Sequence, residues 1–519
     1  MTQQYDIAIV GSGFAGSLLA MIARRLGHSV VLIERGKHPR VVIGESSTPL
    51  TNLLLEDLTT RYDLPAIKPL AKWGTWQKAH PEVACGLKRG FTFYHHNLDK
   101  PEAFPPSRDG QLLVAASPHD EIADTHWYRA DFDYLLVQEA QKLGVHYVDE
   151  TTLTRVIESD ETIELSGTRD GQPIATSAKF LVDASSPRGF LHHALGLREK
   201  EVPHLPSTQA LYSHFTGVGR IQPAPSAVQK DLEPYPPDSA AVHHIFDGGW
   251  IWVLQFNNGI TSAGIAATDA TAARWNIHEG AAAWDRILED IPALRTQFAN
   301  SKPVQPFRHI PRLPFRSATT VGKRWALLPS AAGFVDPLLS TGFPLALLGI
   351  DRLANIIEYH WESPTLVTHL EAYAAETDAD LLATAQLIGA LYANLNNFPA
   401  FASLTLLYFA AVTFAETARR LGKPELASSF LLRSHPRFGP DTARLFEHAL
   451  HIHTQQEARQ LSEDILRAIE PINIAGLGNP QRRNWYPVDA QDVIDNAAKL
   501  SATQQEVHQL LRRCGFHLR

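Results

Sequence analysis

A short apolar run near the start of the chain leads directly into a glycine-rich turn, and this pairing constrains the fold more than any other feature. Residues 6–10 are Asp-Ile-Ala-Ile-Val, a pattern that predicts a buried strand. The turn that follows consists of Gly11, Ser12, Gly13, Phe14, Ala15 and Gly16. An apolar segment at 17–26 predicts a helix that stops at a glycine. Together these elements predict a nucleotide-binding unit.

Each glycine of the turn has its own role in such a unit. Gly11 permits the tight turn, Gly13 lets the backbone approach a pyrophosphate, and Gly16 lets the helix pack close to the strand. The next strand-like run ends in Glu34 and Arg35, where an acidic side chain would bond ribose hydroxyls. Because strand, turn, helix and terminal acid are all in place, the segment predicts dinucleotide binding.

Composition excludes several classes of protein. The 519 residues include 47 Lys and Arg against 55 Asp and Glu, a net charge of −8, so a generally basic nucleic-acid binder is excluded. A hydrophobic fraction of 44% excludes global disorder. Two cysteines exclude a disulfide framework, and the scattered histidines lack metal-ligand spacing, so no metal is predicted. The low cysteine usage and the absence of a basic leader predict a cytoplasmic protein.

The longest stretch without charged residues runs from 381 to 415. Its second half, 398–415, is about as long as a short membrane span. Two interpretations stay open at this point. The segment is either a buried or cavity-lining helix, or a helix that docks on a membrane surface or forms a wall for a lipidic substrate.

Three further segments resemble those of FAD-dependent monooxygenases and halogenases. Glu45 and Ser46 lie in a segment that passes near the flavin ring in those families. The sequence around Arg129 resembles an R-x-x-F-D motif whose arginine lies close to the cofactor. The strand-like run that ends in Asp183 resembles a D-A-(S/T)-G segment, with Ser186 in place of the usual glycine. The resemblance implies that the dinucleotide is FAD.

A distal motif resembles the second FAD fingerprint, a strand followed by G-D-A-A-x-x-x-D-P. Pro329 and Ser330 stand where Gly-Asp is usual. Ser330 can still donate a hydrogen bond to the ribityl chain, but the charge is missing. Asp336 and Pro337 match the motif. A helix predicted from 343 to 359 would direct its N-terminus at the flavin, where it could hold an anion.

Three features resemble the flavin-dependent halogenases of the tryptophan-halogenase superfamily. The first is Lys88, in a segment similar to the one that carries the family's catalytic lysine. In that family the flavin oxidises chloride or bromide to hypohalous acid, which the lysine orients or carries as a haloamine. This role requires a desolvated amine with a lowered pKa. The alternative is an exposed strand lysine.

The second feature is a pair of tryptophans. Trp250 and Trp252 resemble the W-x-W-x-I-P signature, and their spacing of two predicts that they share one face of a strand. In the family this motif keeps the substrate away from the flavin. Leu254 and Gln255 replace its Ile-Pro, so the motif is partial. A core strand with two packed indoles is the alternative.

The third feature follows Pro337. Ser340, Thr341 and Gly342 resemble the S-T-G segment that binds halide beside the flavin. Tryptophan-specific halogenases have a glutamate immediately before that serine, and this chain has Leu339. The resemblance therefore implies an activated phenol-, pyrrole- or indole-like ring as substrate, not free tryptophan.

The resemblance also implies an α/β architecture. A GR2-type, Rossmann-like FAD-binding domain would be assembled from residues 1–80, 120–200 and 305–360. A substrate domain with an antiparallel sheet would come from 81–119 and 201–304, and a helical C-terminal region from 361–519.

The implied function is halogenation of a free or carrier-bound aromatic with reduced flavin, O2 and chloride or bromide. No second nucleotide motif for NAD(P)H follows the first, so a separate flavin reductase is expected as a partner. Two alternatives remain. The partial W-x-W motif and Leu339 favour an FAD-dependent monooxygenase that hydroxylates an aromatic, and the apolar C-terminal helices favour an isoprenoid reductase-like flavoprotein.

Overall fold

The computed structural model describes residues 4–100, 104–221 and 233–518. Small parts of the predicted segments, residues 1–3, 101–103, 222–232 and 519, lie outside the described residues. The strands of the described chain, numbered in order, are β1 (Gln4–Val10), β2 (Val30–Ile33), β3 (Cys85–Lys88), β4 (Gly90–His95), β5 (Gln111–Ala115), β6 (Asp124–Trp127), β7 (His146–Val148), β8 (Thr151–Glu158), β9 (Ile163–Arg169), β10 (Gln172–Asp183), β11 (Thr208–Thr216), β12 (Ala241–Phe246), β13 (Gly249–Gln255), β14 (Thr261–Thr268), β15 (Lys302–Pro303), β16 (Arg308–Ile310), β17 (Phe315–Arg316), β18 (Trp325–Leu327), β19 (Gly333–Phe334) and β20 (Trp485–Tyr486).

The α-helices of the same residues connect and cover these strands. They are α1 (Phe14–Arg25), α2 (Pro49–Arg61), α3 (Trp73–Ala79), α4 (Arg129–Lys142), α5 (Phe190–Ala194), α6 (Asp269–Trp275), α7 (Ala281–Asp290), α8 (Pro292–Gln297), α9 (Pro329–Ala332), α10 (Gly342–His360), α11 (Leu366–Ala393), α12 (Phe398–Arg420), α13 (Phe438–Ala449), α14 (Gln455–Ile469), α15 (Ala490–Asp495) and α16 (Gln504–Arg513).

The first sheet is built around β1, which pairs in parallel with β2 on one side and β10 on the other. β7 continues the parallel order beyond β2, and β18 pairs in parallel with the end of β10. β8 and β9 extend the first half of β10 in antiparallel fashion. All four residues of β2 are buried, as expected of a parallel strand that is covered on both faces. The predicted Rossmann-like unit is confirmed.

The second sheet has the strand order β15-β11-β14-β13-β12-β4-β5-β20, with β16 also paired to β11. Most of its pairs are antiparallel, but β12 pairs in parallel with β4, and β20 with β5. The predicted antiparallel sheet is therefore a mixed sheet. The reason is that β4 and β5 arrive from an earlier part of the chain and β20 comes from the C-terminal region, which was predicted to be helical only.

A short antiparallel ribbon of β3 and β6 lies against the second sheet. Gly86 on β3 allows this close approach, because a Cβ there would lie 2.1 Å from the Gln255 carbonyl oxygen at the end of β13. The pairing register sets Lys88 directly opposite Asp124. The ribbon thus fixes the position of the lysine that was singled out from the sequence.

Helix α12 contains the apolar stretch that left two interpretations open. It is long and apolar enough to cross a membrane, with a mean hydropathy of 1.7, but 83% of its apolar window is buried inside the protein. Its side chains Tyr408, Phe409 and Val412 line a cavity. The interpretation as a buried, cavity-lining helix therefore fits the structure.

Candidate active site

The turn after β1 has the close backbone approaches of the predicted cradle. Gly11 has a φ of +100°, and a Cβ on it would lie 2.6 Å from the Ser185 Cα at the end of β10. A Cβ on Gly16 would lie 1.9 Å from the Gly11 carbonyl oxygen. Helix α1 begins at Phe14 rather than at residue 17, with Gly13 as its N-cap and no side chain capping its first N–H groups. These N–H groups are available to a phosphate.

Glu34 directly follows β2, and hydrogen bonds and an ion pair fix its carboxylate. Its carboxylate accepts hydrogen bonds from the Ser12 backbone at 2.9 Å and the Gly36 backbone at 2.9 Å, and it pairs with Arg40 at 3.1 Å. Burial by itself would raise the pKa of Glu34, but Arg40 and the hydrogen bonds outweigh it and lower the pKa. The group is an ionised acceptor. Arg35 is exposed, so the cation at this carboxylate is Arg40, which the sequence analysis missed.

Arg129, the first residue of α4, stands beside the N-terminus of α1. Its guanidinium donates to both carboxylate oxygens of Asp133 at 2.8 Å and to the Gly44 carbonyl at 2.8 Å. The guanidinium carbon lies 5.2 Å from the centre of the Phe14 ring. Phe14 and Ala15 are buried. The arginine is therefore held in place beside this N-terminus, with its charge paired by Asp133.

Asp183 and Ser330 lie at the carboxyl edge of the first sheet, where open α/β sheets bind ligands. The Asp183 carboxylate accepts from the Ser185 backbone N–H at 2.8 Å and the Leu191 backbone N–H at 2.7 Å. It therefore organises the turn after β10 instead of presenting free oxygens. Ser330 is half-buried in the short helix α9, next to Leu328, whose backbone N–H donates to the Asp183 carbonyl.

Asp336 is buried and has both carboxylate oxygens engaged. One oxygen accepts from the Trp250 indole N–H at 3.2 Å and the Leu338 backbone N–H at 2.9 Å. The other accepts from the Tyr392 hydroxyl at 2.9 Å. Burial raises the pKa of Asp336 to about 7, against the effect of these hydrogen bonds. Tyr392 comes from α11 and was not predicted from the sequence.

The predicted halide segment is a sharp turn. Leu339 and Ser340 have φ values of +64° and +56°, in the left-handed region that disfavours both residue types. The Tyr408 hydroxyl donates to the Leu339 carbonyl at 2.9 Å and holds the turn. Thr341 is buried, and Gly342 begins α10, where a Cβ would meet no heavy atom within 4 Å. The uncapped N-terminus of α10 therefore faces open space.

Asp336, Ser340 and Gly342 line a cavity of about 110 Å³, called the smaller cavity below. Trp250 and Trp252 both line it, with ring centres 5.6 Å apart, as their spacing predicts. Glu45 lies on another wall, where it pairs with His214 at 2.8 Å. The predicted residues that line this cavity are Glu45, Ser46, Trp250, Trp252, Asp336, Pro337, Ser340 and Gly342.

Lys88 is completely buried at the end of β3. Its Nζ donates to the Ser47 carbonyl and lies 3.7 Å from the centre of the Phe91 ring. Burial lowers the pKa of Lys88, and the opposite charge of Asp124 counteracts this only in part. The alternative of an exposed strand lysine is therefore wrong. The amine is desolvated, as the predicted chemistry requires.

A second, larger cavity of about 140 Å³ is lined by Phe91, whose ring contacts the Lys88 amine, and by Asp124, which lies opposite Lys88 in the ribbon. The chain after β2 runs from one cavity to the other: Ser46 lines the smaller cavity, Ser47 binds the lysine, and Thr48 and Asn52 line the larger cavity. The Lys88 amine, bound to Ser47, is therefore buried in the wall between the two cavities and is a lining residue of neither. Walls of the larger cavity include Phe91, Val114, Tyr408, Val412, Tyr486 and Leu510.

The larger cavity also contains a polar pair that the sequence analysis missed. Asp124 on β6 accepts a hydrogen bond from the Asn52 amide on α2 at 2.6 Å. Both residues line the cavity, and burial raises the pKa of Asp124. No motif surrounds either residue in the sequence. Only the pairing of β6 with β3 brings Asp124 beside Lys88.

Comparison with known proteins gives consistent matches. A family model described as tryptophan halogenase matches residues 122–396, just over half of the chain. A model described as an NAD(P)-binding Rossmann-like domain matches residues 9–49.

Two curated relatives are halogenases. The monodechloroaminopyrrolnitrin halogenase PrnC of Pseudomonas fluorescens is 29% identical over 68% of this chain and 61% of its own length. The tetracycline 7-halogenase of Kitasatospora aureofaciens is 28% identical over 73% of this chain and 68% of its own length. The chain therefore spans about three fifths of the first relative and two thirds of the second.

Solved structures share the fold over three quarters or more of the chain. The halogenase PltM in complex with phloroglucinol and FAD superposes with a TM-score of 0.70 and 23% identity, covering 98% of this chain and 96% of PltM. The flavin-dependent brominase Bmp2 gives a TM-score of 0.60 and 22% identity, over 76% of this chain and 89% of Bmp2. These matches confirm the predicted resemblance and, with it, FAD as the cofactor. The roles of individual residues stay predictions.

Proposed function

Because the chain belongs to the tryptophan halogenase family, we propose that it is an FAD-dependent halogenase that chlorinates or brominates an electron-rich aromatic substrate. The observation that carries this proposal is the position of Lys88, which is fully buried in the partition between two cavities. Direct oxygen transfer from a flavin needs no amine between the flavin and the substrate. Transfer of an oxidised halogen between two separated sites needs a group between them that can orient or carry the halogen.

The residues of the first sheet fit FAD. The uncapped N-terminus of α1, flanked by Arg129, would hold the pyrophosphate, and the ionised Glu34 would accept hydrogen bonds from ribose hydroxyls. The smaller cavity, next to the open N-terminus of α10, would accept the flavin ring and the halide. Reduced FAD and O2 would supply the oxidation of chloride or bromide to hypohalous acid.

Lys88 would then act on the hypohalous acid. Its ammonium form can donate a hydrogen bond to the acid's oxygen and so orient it. Its neutral amine can instead exchange one N–H hydrogen for halogen and release water, which gives a haloamine. Burial favours the neutral amine. In either route the halogen replaces a ring hydrogen. The ring proton ends up in the water formed from hypohalous acid in the first route, and restores the N–H of the lysine amine in the second.

The larger cavity is the proposed substrate site. Its walls are mainly apolar and aromatic, which suits a neutral ring. The cations on its wall are already paired: Lys72 with Glu56 at 3.0 Å, and Arg420 with Glu56 at 2.9 Å and Glu416 at 2.6 Å. Leu339 stands at the position of the glutamate of tryptophan-specific members, which supports a ring other than free tryptophan.

A separate flavin reductase is the proposed electron donor, because the sequence has one dinucleotide motif. The apolar cavity supports a free small molecule over a carrier-bound one, although the relatives include both a tetracycline 7-halogenase and a 1H-pyrrole-2-carbonyl-[peptidyl-carrier protein] chlorinase. We propose a cytoplasmic location from the low cysteine usage, with both cysteines unpaired.

The experiment is product analysis by mass spectrometry. The protein is supplied with reduced FAD, O2 and bromide, and with a panel of phenols, indoles and pyrroles. A monobrominated product that disappears without halide supports the proposal. A hydroxylated product that forms without halide overturns it and supports the monooxygenase, the alternative that the partial W-x-W motif favours.

A further inference from the structure

The larger cavity contains a buried carboxylate oxygen that the described residues leave without a hydrogen-bond partner. We propose that Asp124 binds a hydrogen-bond donor carried directly on the substrate's aromatic ring, an O–H or an N–H. The substrate class is then phenols, anilines and N–H heteroaromatics, and excludes rings without such a donor. The inference rests on the proposed function, because it concerns the ring that Lys88 would halogenate.

The first evidence is the arrangement of acceptors. One oxygen of Asp124 accepts from the Asn52 amide at 2.6 Å. The other oxygen, Oδ2, is buried and has no hydrogen-bond partner among the described residues, and the same holds for Oδ1 of Asn52. Both side chains line the larger cavity. Two neighbouring acceptors without donors therefore share one part of its wall.

The second evidence is that nearby donors are engaged elsewhere. The Lys88 amine donates to the Ser47 carbonyl, and in the described chain it is not a hydrogen-bond partner of Asp124 Oδ2. The Arg420 guanidinium donates to Glu56 and Glu416. Among the described residues, this carboxylate therefore has charged neighbours but receives no hydrogen bond at its second oxygen.

The chemistry explains why a ligand would supply it. A buried acceptor without a donor is costly, so a ligand that brings the donor gains the hydrogen bond without giving up a competing one. Phe91, Phe409 and Val412 provide apolar walls for the ring itself. Because Asp124 is directly opposite Lys88, a ring bound there lies beside the amine.

The same contact would favour the reaction. An O–H or N–H that donates to a carboxylate increases the electron density of its ring, and electrophilic halogenation is faster on an electron-rich ring. Asp124 is thus a substrate-binding residue whose ligand preference follows from one atom, the oxygen Oδ2.

The test compares two ligands that differ by one O-methyl group, which removes the donor; the change in their ratio on substitution of Asp124 separates the donor's effect from that of the added methyl group. 2-Naphthol and 2-methoxynaphthalene are titrated by equilibrium dialysis against the FAD-loaded wild-type protein and Asp124→Asn. We expect the wild-type protein to bind the naphthol at least about tenfold more tightly, because the hydrogen bond is to an ionisable carboxyl group. In Asp124→Asn the ratio should fall to about threefold or less, since an amide is a weaker acceptor.

The control variant is Glu416→Gln. This carboxylate lines the same cavity but is occupied by Arg420 at 2.6 Å, so its loss should leave the ratio unchanged. Equal binding of the two ligands by the wild-type protein overturns the proposal, and so does an unchanged ratio in Asp124→Asn. If that variant does not retain FAD, the wild-type ratio decides alone.

The result separates this inference from the proposed function. A tenfold preference without any halogenated product supports the binding site and counts against halogenation. Halogenated 2-methoxynaphthalene formed as readily as halogenated naphthol leaves the halogenase standing and removes the role of Asp124.

Discussion

The dinucleotide cradle and the partition around Lys88 are built in different ways. The cradle is made of backbone: Gly11 and Gly16 are required because a Cβ would come within 2.6 and 1.9 Å of other backbone atoms. Around Lys88 the surroundings are side chains from separate elements, such as Asn52 on α2 and Asp124 on β6. A backbone-built site leaves a pattern in consecutive residues, and a side-chain-built site does not.

The two regions also differ in how they relate to the family. The tryptophan halogenase match ends at residue 396. The larger cavity has walls beyond that point, among them Tyr408, Val412, Tyr486 and Leu510. The Rossmann-like model covers the cradle at residues 9–49, whereas Lys88 and these walls of the proposed substrate site lie outside both matched ranges. Variants of the two regions should fail in different ways, and this difference can be measured.

The largest effect is expected from Gly11→Ala. A Cβ there would overlap the Ser185 Cα, and the φ of +100° strains any side chain. We expect a loss of about 3 kcal/mol of unfolding free energy and no FAD binding. Gly13→Val is the contrast, because Gly13 has a φ of −66° and only side chains near its Cβ position. It should stay folded and lose FAD alone. Thermal unfolding and FAD fluorescence measure both, and equal destabilisation by the two variants contradicts the prediction.

The next largest effect is expected from substitutions of Lys88, in the wall between the two cavities. Lys88→Ala should leave FAD binding and the O2-dependent reoxidation of reduced FAD nearly intact, while halogenated product falls at least about a hundredfold, ~2.7 kcal/mol. If the haloamine route operates, Lys88→Arg should fail as well, since a guanidinium stays protonated and cannot form a haloamine; product retained by this variant would instead indicate orientation by hydrogen bonding.

The matched control is Lys72→Ala, which removes a cavity-lining lysine that is paired with Glu56 at 3.0 Å. It should keep most of the product formation. Stopped-flow absorbance and product mass spectrometry separate the two steps. A product that Lys88→Ala still makes without halide would show that the lysine transfers no halogen.

These two predictions reflect what a sequence can reveal. The cradle was predictable because Gly11 and Gly16 each meet a local backbone constraint. Lys88, Trp250 and Trp252 were predictable through resemblance, and the two tryptophans also through a period of two. The mixed sheet was not, because the partners of β4 and β5 are distant in sequence. Nor was Asp124, since its neighbour Lys88 is set by strand pairing and not by spacing.

A moderate effect concerns the pH dependence of stability. Burial raises the pKa of Asp336 to about 7, whereas an unfolded carboxyl group titrates near 3.9. Between these values the folded protein binds a proton that the unfolded chain has lost. Stability therefore falls as pH rises from about 4 to 7, by ~2 kcal/mol between pH 5 and 7.

Asp336→Asn removes this titration but keeps an oxygen acceptor. Relative to the wild-type protein, the variant should become progressively more stable as pH rises from 5 to 7, and the difference should level off above pH 7. Urea unfolding of the FAD-free proteins at several pH values gives the two curves. Parallel curves would place the carboxyl's pKa near its ordinary value in the folded protein.

The smallest effect tests whether the wall beyond residue 396 acts on the substrate alone. Val412 on α12 is buried and lines the larger cavity, and it is far in sequence from the backbone cradle. Val412→Ala removes apolar contact worth ~1 kcal/mol, so KM for the aromatic should rise about fivefold. The FAD dissociation constant should change less than twofold. Val367→Ala is the matched control, because Val367 is 43% exposed on α11. If Val412→Ala weakens FAD as much as it raises KM, the two regions are energetically coupled, and the division between a cofactor side and a substrate side does not hold.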